Sequence, residues 1–139
     1  MSGEFIDSNV FVYMFDNTNQ QKRLRAKSLV SDHIRDASGV ISFQVVQEVL
    51  NVLTTKMARP VRHEDARAFL AAVLRPLWKV YPNEELYRSA LGVQERYRYS
   101  FSDSLIITAA AQSGCRTLIS EDLQAGQVID GVRVVDPFA

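Results

Sequence analysis

The sequence predicts an α/β fold with a mainly parallel, five-stranded sheet, and three observations support this. Short apolar runs suited to strands alternate with longer segments of helical periodicity. The composition is that of an ordinary globular protein, 47% hydrophobic and 23% charged over 139 residues, enough for one domain with a real core. No repeat, low-complexity stretch or linker divides the chain, so a single domain spanning 1–139 is expected.

Glu4-Phe5-Ile6 reads as the first strand. The polar cluster Asp7-Ser8-Asn9 behind it reads as a strand-to-helix turn, since these side chains hydrogen-bond nearby backbone and begin helices. Thr18 to Asp36 is a charged helix whose Leu24, Leu29, Val30 and Ile34 form a thin apolar stripe. Gly39-Val40-Ile41-Ser42 is the second strand. Phe43 to Met57 is strongly helical, with Val46, Val49, Leu50, Leu53 and Met57 at three- and four-residue spacing.

Pro60 breaks that helix, and His63 to Arg75 begins another that Pro76 is expected to end. Trp78-Lys79-Val80-Tyr81 is the third strand. Asn83 caps a helix over Glu84 to Arg96, and the two glutamates suit its positive end. Ser102 or Asp103 is expected to cap Ser104 to Ser113, which Gly114 terminates. Thr117-Leu118-Ile119 and Val132-Arg133-Val134-Val135 complete the five strands.

Sixteen basic and sixteen acidic residues cancel, which argues against coating nucleic acid through bulk charge but leaves room for local basic surfaces. No apolar run approaches the roughly 20 residues that span a bilayer. The N-terminus has neither a basic region nor a signal-like apolar block, so a cytoplasmic location is expected. The single cysteine, Cys115, leaves no internal disulfide and suits a reducing compartment.

In an open parallel sheet, functional groups gather beyond the carboxyl ends of the strands. Four acids fall near such places: Asp7 after the first strand, Glu48 in the helix after the second, Asp103 at the start of a helix, and Asp122 after the fourth strand. Each alone has a plainer explanation as a cap, a turn residue or part of a solvated face. Glu48, however, is accompanied by Gln44, Gln47, Asn51 and Thr55, a stripe of neutral polar groups that suits a cleft better than a solvated face. If the acids converge they need a counter-charge, because two unit charges about 6 Å apart repel by roughly 3 kcal/mol at an effective dielectric near 20. Oxygen-only ligation favours Mg²⁺ or Mn²⁺ over zinc. His33 and His63 have no ligand spacing to each other or to Cys115. Such a site most often handles phosphate oxygens. The chain contains no GxxxxGK[ST], GxSxG or GxGxxG motif.

The segments FIDSNVFVY, VVQEVLNVL, YSFSDSLIITAA and LISEDL resemble, in order and spacing, the motifs of the PIN-domain ribonucleases. The bacterial VapC-type toxins of toxin–antitoxin pairs are similar in length and layout. The resemblance spans essentially the whole chain and implies a three-layer α/β/α sandwich. It implies that Asp7, Glu48, Asp103 and Asp122 hold Mg²⁺, with Mn²⁺ able to substitute, and that Asn9 and Ser120 orient carboxylates or water. Glu121 is expected to be an exposed neighbour. Ser8, where Thr is frequent, and Ser102 are small departures that remove no ligand.

The resemblance further implies an RNA substrate, an endonucleolytic cut, a homodimer, and a small antitoxin whose C-terminal segment occupies the active-site groove. Arg96 and Arg98 are candidate RNA contacts because they closely precede Asp103. A metal-dependent phosphatase or phosphotransfer domain is the enzymatic alternative. Yet Asn9 stands where a haloacid-dehalogenase-like phosphatase needs a second Asp, and the late strand is followed by no receiver-type lysine. A non-catalytic binding module is the remaining alternative.

Overall fold

β1 (Glu4–Ile6) lies inside the sheet, with parallel strands on both sides and with Phe5 and Ile6 fully buried. The computed structural model describes residues 3–139, so the first two positions of the expected domain lie outside them. The turn expected behind β1 opens a six-residue helix, α1 (Ser8–Tyr13), that drives Val10 and Phe11 into the core. Helix α2 (Gln20–Arg35) is capped by Asn19, whose side chain accepts from the Lys22 amide, and it leads to β2 (Gly39–Ser42), buried along its whole length. Gly39 is required there. A Cβ at this position would meet Leu77 Cδ2 at 2.8 Å and His33 Cβ at 3.0 Å.

Ser42 caps α3 (Phe43–Asn51), which continues as a π-helical turn over Val52–Lys56. The next helix, α4 (His63–Phe69), does not end before Pro76 as expected. A π-helical turn over Leu70–Leu74 interrupts the regular ladder, and a short segment, α5 (Arg75–Leu77), begins anew. Pro76 thus occupies a first turn, where its missing N–H costs little. β3 (Trp78–Val80) follows, then α6 (Glu84–Tyr97) with Asn83 as its cap.

Helix α7 (Phe101–Gln112) starts earlier than expected, because Ser100, not Ser102 or Asp103, supplies the cap and accepts from the Asp103 amide at 3.0 Å. The Asp103 carboxylate therefore plays no part in capping. Strand β4 (Thr117–Ile119) is as expected, but β6 (Val132–Val135) is preceded by a two-residue strand, β5 (Val128–Ile129). Asp130 and Gly131 join them with φ of 50° and 81°, the twist that a two-residue hairpin needs. The sheet therefore has six strands, not five.

Strand order is β3-β2-β1-β4-β6-β5, and every neighbouring pair is parallel except β5–β6. Helices flank the sheet in a three-layer α/β/α arrangement. Helix α7 packs on β2, β4, β6 and α6, while α1 packs on α2 and α3. The chain winds from β1 outward to β2 and β3, then returns to β4 on the other side of β1. The reversal creates a crevice outside the carboxyl ends of β1 and β4, where open α/β sheets bind ligands.

Candidate active site

Two loops enter that crevice. Asp7 leaves β1 as the cap of α1, with Oδ1 accepting from the Ser8 amide at 2.7 Å. Ser120 and Asp122 leave β4 next door. The Asp7 amide donates to the Ile119 carbonyl at 2.9 Å, which pins the two strand ends together. Ser120, fully buried, donates its hydroxyl to Asp7 Oδ2 at 2.8 Å and accepts from the Asp122 amide at 3.2 Å. Asn9 completes the link: Nδ2 lies 3.3 Å from both Ser120 Oγ and Asp122 Oδ2, and Oδ1 accepts from the Glu121 amide at 3.2 Å.

Glu48 arrives from α3 and is gripped at both oxygens. Ser8 Oγ donates to Oε2 at 2.8 Å, and Gln44 Nε2 donates to Oε1 at 3.0 Å. The same Gln44 amide donates to the Ser102 carbonyl at 3.0 Å, one residue before Asp103. Gln44, Gln47, Glu48 and Asn51 do line one groove, about 610 Å³ in volume, together with Phe43, Tyr87, Phe101, Ser102 and Leu105.

The electrostatics follow from this packing. Burial pushes the Asp7 carboxyl up to about 6 from an ordinary 3.8; the Ser120 and Ser8 bonds pull it down, and the charges of Glu48 and Asp122 push it further up. Among the described residues, no Lys, Arg or His side chain bonds to Asp7, Glu48, Asp103 or Asp122. The structure thus brings Glu48 and Asp122 within electrostatic reach of Asp7. The Asp103 carboxylate makes no hydrogen bond to the other three among the described residues; Gln44 reaches only the carbonyl of the preceding Ser102.

The donor set, oxygen-only and lacking an internal counter-charge, fits a hard divalent cation. Among the described residues, no three His, Cys, Asp or Glu side chains are already gathered closely enough to hold a metal. Each carboxylate is instead held by neutral donors, Glu48 by Ser8 and Gln44 and Asp122 by Asn9.

Glu121 differs from the exposed neighbour expected. Its carboxylate ion-pairs with Lys22 and accepts from the Tyr13 hydroxyl at 2.6 Å, and the Lys22 ammonium lies over the Tyr13 and Phe138 rings. Burial alone would raise Glu121, but Lys22 and Tyr13 outweigh it and hold the carboxyl below the usual range. It faces a cation of its own. Arg96 is likewise committed, to Asp130 at 3.0 Å, whereas Arg98 caps α6 in the left-handed region and is exposed. His33 sits between the Leu29 carbonyl and Glu4, at the opposite end of β1.

Sequence reasoning missed the roles of Ser8 and Gln44. It placed Ser8 in a turn and Gln44 in a polar stripe; the Gln44–Glu48 bond follows the i,i+4 spacing of that stripe, but nothing local signals that Ser8 reaches Glu48 across 40 residues or that Gln44 also reaches Ser102.

The model of the PIN domain family matches residues 5–129. No curated protein matches as a sequence relative. Among solved structures, a toxin–antitoxin complex from Klebsiella pneumoniae superposes with a TM-score of 0.68 at 16% identity, covering 97% of this chain and 98% of that one. Mycobacterium tuberculosis VapC20, a toxin that cleaves the sarcin-ricin loop, gives 0.65 at 20% identity over 94% of this chain and 99% of its own. VapBC2 from Rickettsia felis, bound to a DNA fragment from its promoter, gives 0.67 at 15% identity, covering 94% and 96%. At these identities the likeness is one of fold.

Proposed function

The chain belongs to the PIN-domain family, and from that premise we propose that it is a Mg²⁺- or Mn²⁺-dependent endoribonuclease, the toxin of a toxin–antitoxin pair, with the whole chain acting as one nuclease domain. The observation that carries the proposal is Asp7. It is a buried carboxylate at the crevice between β1 and β4, pushed up further by Glu48 and Asp122, with no basic partner among the described residues. A protein built for stability alone would not leave such a charge uncompensated.

Asp7 and Asp103 would hold the principal cation, and Glu48 and Asp122 would complete the site. When bound, the cation supplies neutralisation of the phosphate charge and a more acidic water. This chain's own residues do the rest. Ser120 and the Ser8 amide fix the Asp7 carboxylate, Asn9 holds Asp122 beside it, and Ser8 and Gln44 fix Glu48. In-line attack of water on phosphorus, with the 3′ oxygen leaving, gives a 5′-phosphate and a 3′-hydroxyl. Arg98 and Arg96, the latter in a surface pair with Asp130, would supply guanidinium groups for the RNA backbone.

An antitoxin partner is supported by the surface beside the acids. A shallow cleft lined by Ser8, Asn9, Val12, Tyr13, Asp16, Glu121 and Asp122 shares Val12 and Asp16 with a second, of about 430 Å³, lined also by Phe15, Met57 and Arg59. A peptide bearing a basic side chain next to apolar ones would complement both. A homodimer and inhibition of translation belong to the same reading, as does action in the cytoplasm. No helix among the described residues is long and apolar enough to cross a membrane.

The test is incubation of the purified protein with structured RNA, in Mg²⁺ or Mn²⁺ and in chelator, beside Asp7→Asn. Cleavage only by the wild type, and only with the metal, is expected. Equal cleavage by both proteins would sink the mechanism.

A further inference from the structure

We propose that Gln44 is a positioning residue that sets the spacing between Glu48 and Asp103, and so prepares the acids for the cation; the proposal rests on the metal-dependent nuclease reading above. Its amide nitrogen has two N–H groups and two acceptors. One is Glu48 Oε1 at 3.0 Å, on the next turn of the same helix, and the other is the Ser102 carbonyl at 3.0 Å, in the first turn of α7. The second acceptor lies on a different helix, 58 residues along the chain from Gln44. No other side-chain hydrogen bond among the described residues joins the first turn of α7 to α3.

The opposite end of the amide explains why a glutamine stands here. Gln44 is 8% exposed, and its Oε1 is buried without a hydrogen-bond partner among the described residues. A buried carbonyl left unpaired is a cost. An apolar side chain of similar volume would avoid that cost but could not reach both acceptors. The N–H₂ group is therefore what the site uses. A carboxylate at 44 would repel Glu48, and a shorter side chain would not span the gap to Ser102.

The geometry also explains how the tie acts on Asp103 without touching it. The Ser102 carbonyl belongs to the residue before Asp103, and Ser100 already fixes the Asp103 and Ser104 amides from the other side at 3.0 and 2.9 Å. With Gln44 in place, the first turn of α7 is held at both ends. Ser8 meanwhile holds the second oxygen of Glu48, so the carboxylate cannot rotate away from the tie.

The test uses the full chain carrying Gln44→Met, which preserves length and volume and removes both donors; Gln44→Leu serves if the first variant does not fold. In chelator, amide exchange at Asp103 and Ser104 is expected to quicken about tenfold relative to that at Phe5 and Leu118. In RNA-free protein, the Mn²⁺ concentration that half-maximally raises the melting temperature is expected to increase about tenfold, as for other residues that orient a metal's ligands. Unchanged exchange at Asp103 overturns the tie, and an unchanged Mn²⁺ midpoint overturns the positioning role. A wild type that shows no Mn²⁺ stabilisation refutes the nuclease reading itself and takes the positioning role with it, a result distinct from a variant that binds as the wild type does.

Discussion

Replacing Asp7 by Asn should make the metal-free protein more stable at neutral pH, not less. Asp7 holds its proton more tightly in the folded state, at about 6, than in the unfolded chain, near 3.8. Protonation therefore favours folding: the contribution is complete below about pH 3.8 and is lost as pH rises through about 6. The interval is worth about 3 kcal/mol at 1.36 kcal/mol per pH unit, an order-of-magnitude figure, and it is the cost of keeping the carboxylate ionised at neutral pH.

An asparagine escapes that cost. It keeps an acceptor for the Ser8 amide, but its N–H₂ would face Ser120, whose hydroxyl already receives Asn9 and the Asp122 amide. Losing that bond returns about 1 kcal/mol. The net gain at pH 7.5 in chelator is about 2 kcal/mol, or about 7 °C in melting temperature for a chain of this size. By pH 4.5 the wild type regains about 2 kcal/mol and the two proteins should melt together. Urea or thermal denaturation at the two pH values measures this directly. An Asn variant that melts below the wild type at pH 7.5, or a gap that ignores pH, would refute the electrostatic reasoning.

Other substitutions probe the surrounding frame. Ser120→Ala removes the donor to Asp7 and the acceptor for two neighbours, so urea denaturation at pH 7.5 should show a loss of about 1–3 kcal/mol. Mn²⁺ should stabilise Glu121→Gln as it does the wild type, whereas Asp122→Asn should need at least about tenfold more Mn²⁺, because Glu121 is engaged by Lys22 and Tyr13 and Asp122 is not. Equal midpoints for these two variants would return Glu121 to the site. Gly39→Ala forces a Cβ to within 2.8 Å of Leu77 and should cost about 1–3 kcal/mol in equilibrium unfolding, with the slope against denaturant unchanged.

What could be read from the sequence follows from how far apart the interacting residues lie. Strands such as Gly39–Ser42 and the helix over α3 announce themselves through local periodicity and caps, and they appear where expected. Elements differ from expectation where one local rule competes with another. Pro76 signals a helix end, yet the π-helical turn before it restarts the helix and makes the proline harmless. The serines at 100 and 102 are both good caps, and only the fold shows that Ser100 takes the position. The Asp130-Gly131 pair is a hairpin signal, but β5 has only two residues, too few for a visible alternation.

The acids illustrate a different limit. Their order along the chain shows that carboxylates can meet, because the winding of an open sheet brings the ends of β1 and β4 together. It does not show how each is restrained, since the restraints are hydrogen bonds between residues as much as 113 positions apart. This distinction has a physical consequence. Bringing negative charges together opposes folding, so the frame that holds them must be stable without help from the charges themselves. Here the buried strands β1, β2 and β4 supply that frame, and neutral donors from Ser8, Asn9, Gln44 and Ser120 fix the carboxylates upon it. Lysine or arginine in those places would neutralise the acids and stabilise the empty protein, but would also compete with the cation the site is proposed to hold. Neutral donors leave the negative charge available, at the price of stability that the Asp7→Asn variant should recover.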